Sequence, residues 1–274
     1  MSLDKNILVI ENGVSSKAYW GDIWRHRELL LFLAWRDILV RYKQTVIGVS
    51  WVLFRPLLTM AVLTVVFGRI ANLSSGDIPY SLVVLTGLLP WFFFSNGTSE
   101  SSNSLVTNAN LLSKVYFPRM IVPASTILVS AVDFVVSIFV LILLMMWYGI
   151  LPTWHVLLLP VLGVWVGLLA LGTGLLFSAL TVSYRDFRHI VPFMLMLGIY
   201  TSPVGYSTSL IPEKWAPLYY LNPIAGIVDA FRWAILGQVP SSYGIISALI
   251  ITTAALVVGF SYFRSAESRF ADEI

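Results

Sequence analysis

The run "MIVPASTILVSAVDFVVSIFVLILLMMW", Met120 to Trp147, carries Asp133 as its one charged residue. A surface helix of that length would need a polar face to meet water. This run has none, and it exceeds the roughly 20 apolar residues that carry a helix across a bilayer. Comparable runs occupy Val46–Phe67, Ile78–Phe94, Trp154–Val182, Ile190–Tyr206 and Tyr243–Phe263. The whole chain is 58% hydrophobic and 11% charged, against about 45–50% and about 25% in soluble domains. The sequence therefore predicts an all-α membrane protein with six transmembrane helices. Gly163, Gly167, Ala170 and Gly174 place small residues at helical spacing in the fourth run, where they let helices approach closely in lipid.

The segments outside these runs have their own character. Residues 1–19 are mixed and polar and read as a cytosolic lead-in with no cleavable leader pattern. In "WGDIWRHRELLLFLAWRDILVRYKQ", Trp20 to Gln44, the residues Trp24, Leu31, Trp35, Ile38, Leu39 and Tyr42 form a stripe at helical spacing. Arg25, Arg36 and Lys43 collect beside it. Residues 20–45 are thus predicted as an amphipathic helix in the headgroup layer, in contact with anionic membrane lipids; packing on a soluble domain is the alternative. The bilayer-embedded domain spans 46–263, and 264–274 form a tail.

Residues 211–237, "IPEKWAPLYYLNPIAGIVDAFRWAILG", are apolar but contain Pro212, Pro217, Pro223, Asp229 and Arg232. Exposed to lipid, each charge would cost about 2.5–3.5 kcal/mol. A broken, re-entrant helical pair shielded by protein avoids this. Six spans and one re-entrant excursion put both termini on one side. Most of the 17 Lys and Arg residues fall on that side, so both termini are expected to be cytosolic.

The same side receives "SKVYFPRMIVP", Ser113 to Pro123, preceded by the polar stretch "SNGTSESSNSLVTNANLL", and the short loop "SYRDFRH", Ser183 to His189. Lys114, Arg119, Arg185 and Arg188 could be snorkelling anchors. Pro118 and Pro123 suggest more: they stop a helix near Phe117 and hold it at a fixed angle, a surface a soluble partner could push against.

Several chemistries are absent. There is no cysteine, and His26, His155 and His189 are far apart, which leaves no metal motif. No GxxxxGK[ST], GxSxG or HExxH occurs. Glu100, Asp133, Asp186 and Asp229 form no short-range pair. Asp133 is a lone candidate for a proton relay, against a hydrogen bond between helices or a place near the cytosolic end of its span. Arg55, beside Pro56, either snorkels to the interface or faces a polar pathway for an anionic cargo.

Four separated motifs carry a resemblance. "RDILVRYKQTVIGVSWVLFRPLLTMAVLTVVFG" (Arg36–Gly68), "LLSKVYFPRMIVPAS" (Leu111–Ser125), "SYRDFRHIVPF" (Ser183–Phe193) and "LIPEKWAPLYYLNPIAGIVDAFRWAILG" (Leu210–Gly237) occur in order. Together they resemble the type-2 ABC exporter permeases of the polysaccharide branch, which includes Wzm-type O-antigen, capsule-export and teichoic-acid permeases. The likeness covers about Trp20 to Arg264.

The resemblance implies an interfacial helix, six spans, re-entrant gate helices between the fifth and sixth spans, and a homodimer with two copies of a separate ATPase subunit. ATP and magnesium would bind that partner, with no cofactor on this chain and no nucleic acid. By position, Asn108–Phe117 and Tyr184–His189 resemble the two coupling helices. Asn110, Lys114, Tyr116, Phe117, Arg119, Tyr184, Arg185, Asp186 and Arg188 are then the ATPase-coupling candidates.

By the same similarity, Tyr219, Tyr220, Asn222, Asp229 and Arg232 belong to the outer gate. The cargo would be a lipid-diphosphate-linked glycan, O-antigen foremost, crossing a bacterial inner membrane. Trp51, Arg55, Trp91, Phe92 and Tyr200 are candidates for its path, although Trp and Tyr also collect at membrane interfaces. Alternatives are another cargo (teichoic acid, capsule, drug or lipid), a membrane enzyme on lipid-linked sugars, or a gradient-driven transporter.

Overall fold

The computed structural model describes residues 16–43, 48–74 and 76–270. Most of the 1–19 lead-in, Gln44 to Ile47 at the start of the first predicted span, and the last residues of the tail lie outside them. The described residues form helices and connecting turns, with no strand among them. Five helical stretches are long and apolar enough to cross a membrane: Val52–Ile70, Tyr80–Thr107, Ile121–Trp147, Trp154–Ser183 and Ser242–Glu267. The molecule is a multi-pass membrane protein.

The segment predicted as one interfacial helix is two, α1 (Ser16–Arg25) and α2 (Arg27–Lys43), separated at His26. His26 N–H donates to the carbonyls of Asp22 and Ile23, a tightened last turn. Trp24, Leu31, Trp35 and Leu39 of the predicted stripe are exposed, while Leu33 and Ala34 are buried. The first span is α3 (Gly48–Leu63), continued by a π-helical turn over Thr64–Ile70.

The second span differs most from expectation. It is α4, Tyr80–Thr107, and it takes in most of the polar stretch expected as loop. Three facts explain this. Its hydroxyls bond back to carbonyls one turn earlier, as Ser102 to Ser99 at 2.7 Å, Ser104 to Ser101 at 2.8 Å and Thr107 to Asn103 at 3.0 Å. Small residues allow close approach: a Cβ on Gly174 of α7 (Leu159–Ser183) would lie 2.5 Å from Ser101 Oγ. Other polar groups meet side chains of neighbouring helices: Glu100 meets α2, Asn96 meets α3 and Thr98 meets α7.

Next come α5 (Ala109–Leu112) and α6 (Ile121–Trp147). The expected stop near Phe117 falls earlier, at Leu112, and Pro123 lies inside the first turn of α6, where proline's missing N–H costs nothing. A 3-10 turn, Trp154–Leu158, leads into α7.

The expected fifth span, Ile190–Tyr206, is α8, Phe187–Thr201. At 1.5 Å per residue it reaches about 22 Å, short of a hydrocarbon core of about 30 Å. Residues 202–207 are irregular, and α9 (Ala216–Tyr219), α10 (Pro223–Leu236) and α11 (Ser242–Glu267) follow. Asn222 and Ser241 cap α10 and α11 by accepting from Ile224 N–H and Gly244 N–H. Gly237, at φ 73°, ends α10 in a conformation that disfavours other residues.

α4 is the axis of the bundle, packed against α6, α7, α10, α3 and α8. One hydrophobic cluster joins α4, α6, α7 and α10. A second gathers Tyr19, Leu33, Leu105, Phe117, Val182 and Phe263 at what we call the basal end. α10 contributes to the first cluster and not the second.

The predicted small-residue stripe of α7 is its groove for neighbours. Gly163 faces Phe134, Gly167 faces Phe93, and Ala170 faces Gly97. The tightest crossings lie elsewhere: a Cβ on Gly259 would sit 2.0 Å from the Gly172 carbonyl oxygen, and one on Gly226 2.0 Å from that of Gly244. Gly259→Ala is therefore expected to lower stability by about 3 kcal/mol, the upper end of overpacking costs, measured by thermal unfolding in detergent. Gly21→Ala, with nothing within 4 Å of the new methyl, serves as the control and is expected to be neutral or slightly stabilising.

Candidate functional site

Polar side chains converge at three places in the bundle. The first is the junction of α2, α4 and α6. Asn96, Glu100, Asn103 and Thr107 recur at helical spacing on one face of α4. Arg41 of α2 donates to both Glu100 and Asp133, and the Tyr42 hydroxyl donates to the other oxygen of Asp133. Arg36 donates to Asp37 at 2.8 Å and to Asn108 at 3.2 Å. Arg55 of α3 donates to Asn96 at 3.1 Å and lies 4.9 Å from the centre of the Phe92 ring.

Burial alone would lower the Arg41 pKa, but the carboxylates of Glu100 and Asp133 outweigh it and raise it. The Tyr42 hydroxyl is pushed up by burial and by its bond to Asp133, which keeps it a proton donor. Of the cations expected to line up toward lipid, Arg36 turns into the protein, and so does Arg41, which was not among them. The carboxylates Glu100 and Asp133, with no sequence-local partner, are brought together on one guanidinium. Asp133 is thereby held in an inter-helix bridge.

Two cavities flank this bridge, and Arg41 and Glu100 line both. The deeper one, about 440 Å³, also meets Arg55, Phe92, Asn96 and Asp133. The other, about 570 Å³, lies on the basal side among Arg36, Asn103, Thr107 and Asn108. Of the residues expected along a cargo path, Arg55 and Phe92 are brought together here. Trp91 is buried, with its ring against Gly198 of α8, and Tyr200 is exposed on α8. The Trp51 side chain lies outside the described part.

The second convergence is the basal end. Asn110, Lys114, Tyr116, Tyr184, Arg185, Asp186 and Arg188 are all exposed there. Phe117 and Arg119 are not: Phe117 is 4% exposed within the basal cluster. Arg119 donates its backbone N–H to the Glu267 carboxylate at 3.0 Å and its guanidinium to the Glu267 carbonyl at 2.8 Å. These two tie the loop to the end of α11. Glu267, which the sequence reading missed, has no motif to reveal it; only the fold brings it to Arg119.

The third lies at the opposite end. Asp229 accepts from Thr208 and Tyr220 hydroxyls, each at 2.9 Å. Arg232, 2% exposed, donates to the carbonyls of Pro203 at 2.7 Å and Tyr206 at 3.0 Å. It closes the irregular segment after α8, where helical carbonyls lose their partners. Asp229 and Arg232, three residues apart on α10, bond to separate partners, and Arg232 Nε is left without one. Tyr219 donates to Tyr206 at 3.1 Å, and Asn222 donates to Ser202 at 2.9 Å. Thr208, Tyr206 and Ser202 complete a network whose other members were legible.

None of these places has the pattern of a metal centre: among the described residues no group of three or more His, Cys, Asp or Glu could hold an ion. Comparison with known proteins adds a family. The family model described as ABC-2 type transporter matches residues 28–236. The chain is 31% identical over 250 residues to the O-antigen export system permease protein RfbA of Klebsiella pneumoniae, covering 89% of this chain and 94% of that protein. It is 29% identical to a protein of the same name from Myxococcus xanthus, covering 92% of this chain and 98% of that one. The polysialic acid transport protein KpsM of Escherichia coli is 23% identical over 86% of this chain and 92% of its own length. The chain belongs to the ABC-2 type transporter family.

Proposed function

We propose that the chain is the transmembrane subunit of an ABC transporter that exports a lipid-linked polysaccharide, O-antigen foremost, across the bacterial cytoplasmic membrane. The observation that carries this reading is near-complete alignment with O-antigen export permeases at about 30% identity. It acts as a transport permease, with ATP and magnesium bound by a separate ATPase subunit. Two permeases and two ATPase subunits make the working unit. The similarity to KpsM supports a second cargo, a capsule polysaccharide, on the same machinery.

In this reading α8 is the fifth of six spans, made short because the chain turns back through α9 and α10 before α11. The confinement of α10 to one hydrophobic cluster supports a re-entrant gate. The basal end is cytosolic, since it carries Lys114, Arg119, Arg185, Arg188 and Arg264. The exposed residues of the loops after α4 and α7 offer the ATPase a surface. Through Phe117, Arg119 and Glu267 a push on the first loop reaches α11. Arg55 and Phe92 stand together beside one cavity, at the edge of the glycan's path.

The absence of cysteine makes single-cysteine labelling clean. Lys114→Cys is expected to resist a membrane-impermeant maleimide in whole cells, and Lys214→Cys to react. Labelling of Lys114→Cys from outside would overturn the topology and the docking surface with it. Tyr116→Ala combined with Arg185→Glu is expected to reduce export about tenfold or more with unchanged membrane abundance, a loss of interface contacts worth over 1 kcal/mol. Phe117→Ala, by contrast, is expected to cost about 3 kcal/mol of stability, visible as lower melting in detergent.

A further inference from the structure

The deeper cavity between α2, α3, α4 and α6 has an uneven charge distribution. At one end Glu100 and Asp133 share the single guanidinium of Arg41, which leaves one negative charge in excess. At the other end Arg55 bonds to the neutral Asn96, and among the described residues no carboxylate pairs with it. Ser130, 1% exposed, also lines the cavity, and its Oγ has no hydrogen-bond partner. A buried hydroxyl without a partner is uncommon and costs about 1–3 kcal/mol. The walls beyond these groups are apolar, with Val52, Leu89, Phe93 and Phe134.

Depth matters as much as charge. α4 has 28 residues and runs about 42 Å, against a hydrocarbon core of about 30 Å. Its Tyr80 half is apolar and its Thr107 half polar, so the excess length belongs to the basal side. That puts Glu100 near the boundary of the hydrocarbon and the apolar walls just inside it. A soluble anion would meet two carboxylates here, and a soluble cation would meet Arg55.

We infer that this cavity binds the headgroup of a zwitterionic aminophospholipid of phosphatidylethanolamine chemistry, its ammonium at Glu100, Asp133 and Ser130 and its phosphate at Arg55. The ammonium has three donors to distribute among two carboxylates and a hydroxyl. The phosphate takes charge-assisted bonds from the guanidinium. The acyl chains continue along the apolar walls into lipid. The bound lipid completes the contact between α3 and the α4–α6 pair, which Arg41 and Tyr42 bridge from the α2 side. The inference rests on the membrane-embedded reading of the chain and is independent of which cargo it carries.

The test is native mass spectrometry of the purified full-length permease with defined lipids, alongside thermal unfolding in detergent with the same additions. Phosphatidylethanolamine is expected to be retained about tenfold better than phosphatidylglycerol, which lacks an ammonium, or phosphatidylcholine, whose quaternary nitrogen donates no hydrogen bond. Arg55→Gln is expected to lower retention about tenfold. Ser130→Ala, which removes an unpartnered hydroxyl and leaves folding intact, is expected to lower it about fivefold.

Equal retention of the three lipids, or unchanged retention in both variants, would overturn the inference. Stabilisation by inorganic pyrophosphate with none from phosphatidylethanolamine would overturn it in favour of the cargo's anchor. Soluble O-phosphoethanolamine is expected to give less than half the thermal shift of the lipid, because it leaves the apolar walls unfilled; an equal shift would assign the site to a free metabolite. Export plays no part in these readouts, so a failed lipid site leaves the transport reading standing, and the reverse holds as well.

Discussion

A helix surface that carries Asn, Glu, Ser and Thr can enter a bilayer only if other parts of the protein meet it, because lipid offers no hydrogen bonds. The basal half of α4 is such a surface. Arg36, Arg41 and Arg55 supply its partners from α2 and α3, and the glycines of α7 supply close packing on another side. Arg41 is central because it bonds α4 and α6 at once. Removing it would leave Glu100 facing Asp133 with no cation between them; Arg41 and Glu100 are 28% and 34% exposed, so the cost falls below the roughly 3–5 kcal/mol of a fully buried pair. The position of α2 against the bundle follows from that bridge as much as from its apolar contacts at Leu33 and Ala34.

The same rule shapes the opposite end by different means. The segment after α8 abandons helical geometry over residues 202–207, and its carbonyls need donors. Arg232 provides several from one guanidinium, Tyr80 donates to Gly205, and Asn222 caps α10 while bonding back to Ser202. Asp229 is satisfied by two hydroxyls. A charge that looks costly in a span is here the device that satisfies a broken stretch of backbone. The proline and tyrosine content of residues 211–237 belongs to the same solution, since proline fixes the turns and tyrosine spans from apolar packing to a polar partner.

How much of this was legible depends on how local each signal is. The spans α6, α7 and α11 declare themselves as continuous apolar runs, and the small-residue groove of α7 is visible as spacing alone. The basal half of α4 is not, because hydropathy averages over all faces of a helix. Ser102 and Ser104 count as polar although their hydroxyls are spent on the carbonyls of Ser99 and Ser101 in the same helix. The bridge at Arg41 joins residues 59 and 92 positions apart, so no motif could reveal it. α8 was legible as helix but not as a short one, since its end is set by Arg232 from another element. The network around Asp229 was half legible: the charges stand out in an apolar run, and their hydroxyl partners look ordinary.

The two ends differ in what they can transmit. At the basal end Phe117 is locked among Leu105, Val182 and Phe263, and Arg119 is bonded to Glu267, so the loop after α4, the end of α7 and the end of α11 form one packed unit. A force on the exposed Lys114–Tyr116 surface cannot be absorbed by the loop and must pass into α4, α6 and α11. Of these, α11 meets α10 through the Gly226–Gly244 crossing, where there is no room for even a methyl group. Tight crossings of this kind move as units or separate, because packed interfaces are bistable and not continuously deformable. In the proposed mechanism the path from the ATPase surface to the outer gate therefore runs through backbone contacts along α11. The Arg41 bridge ties α2 to α4 and α6, so in the same mechanism a shift of those two helices carries α2 with it.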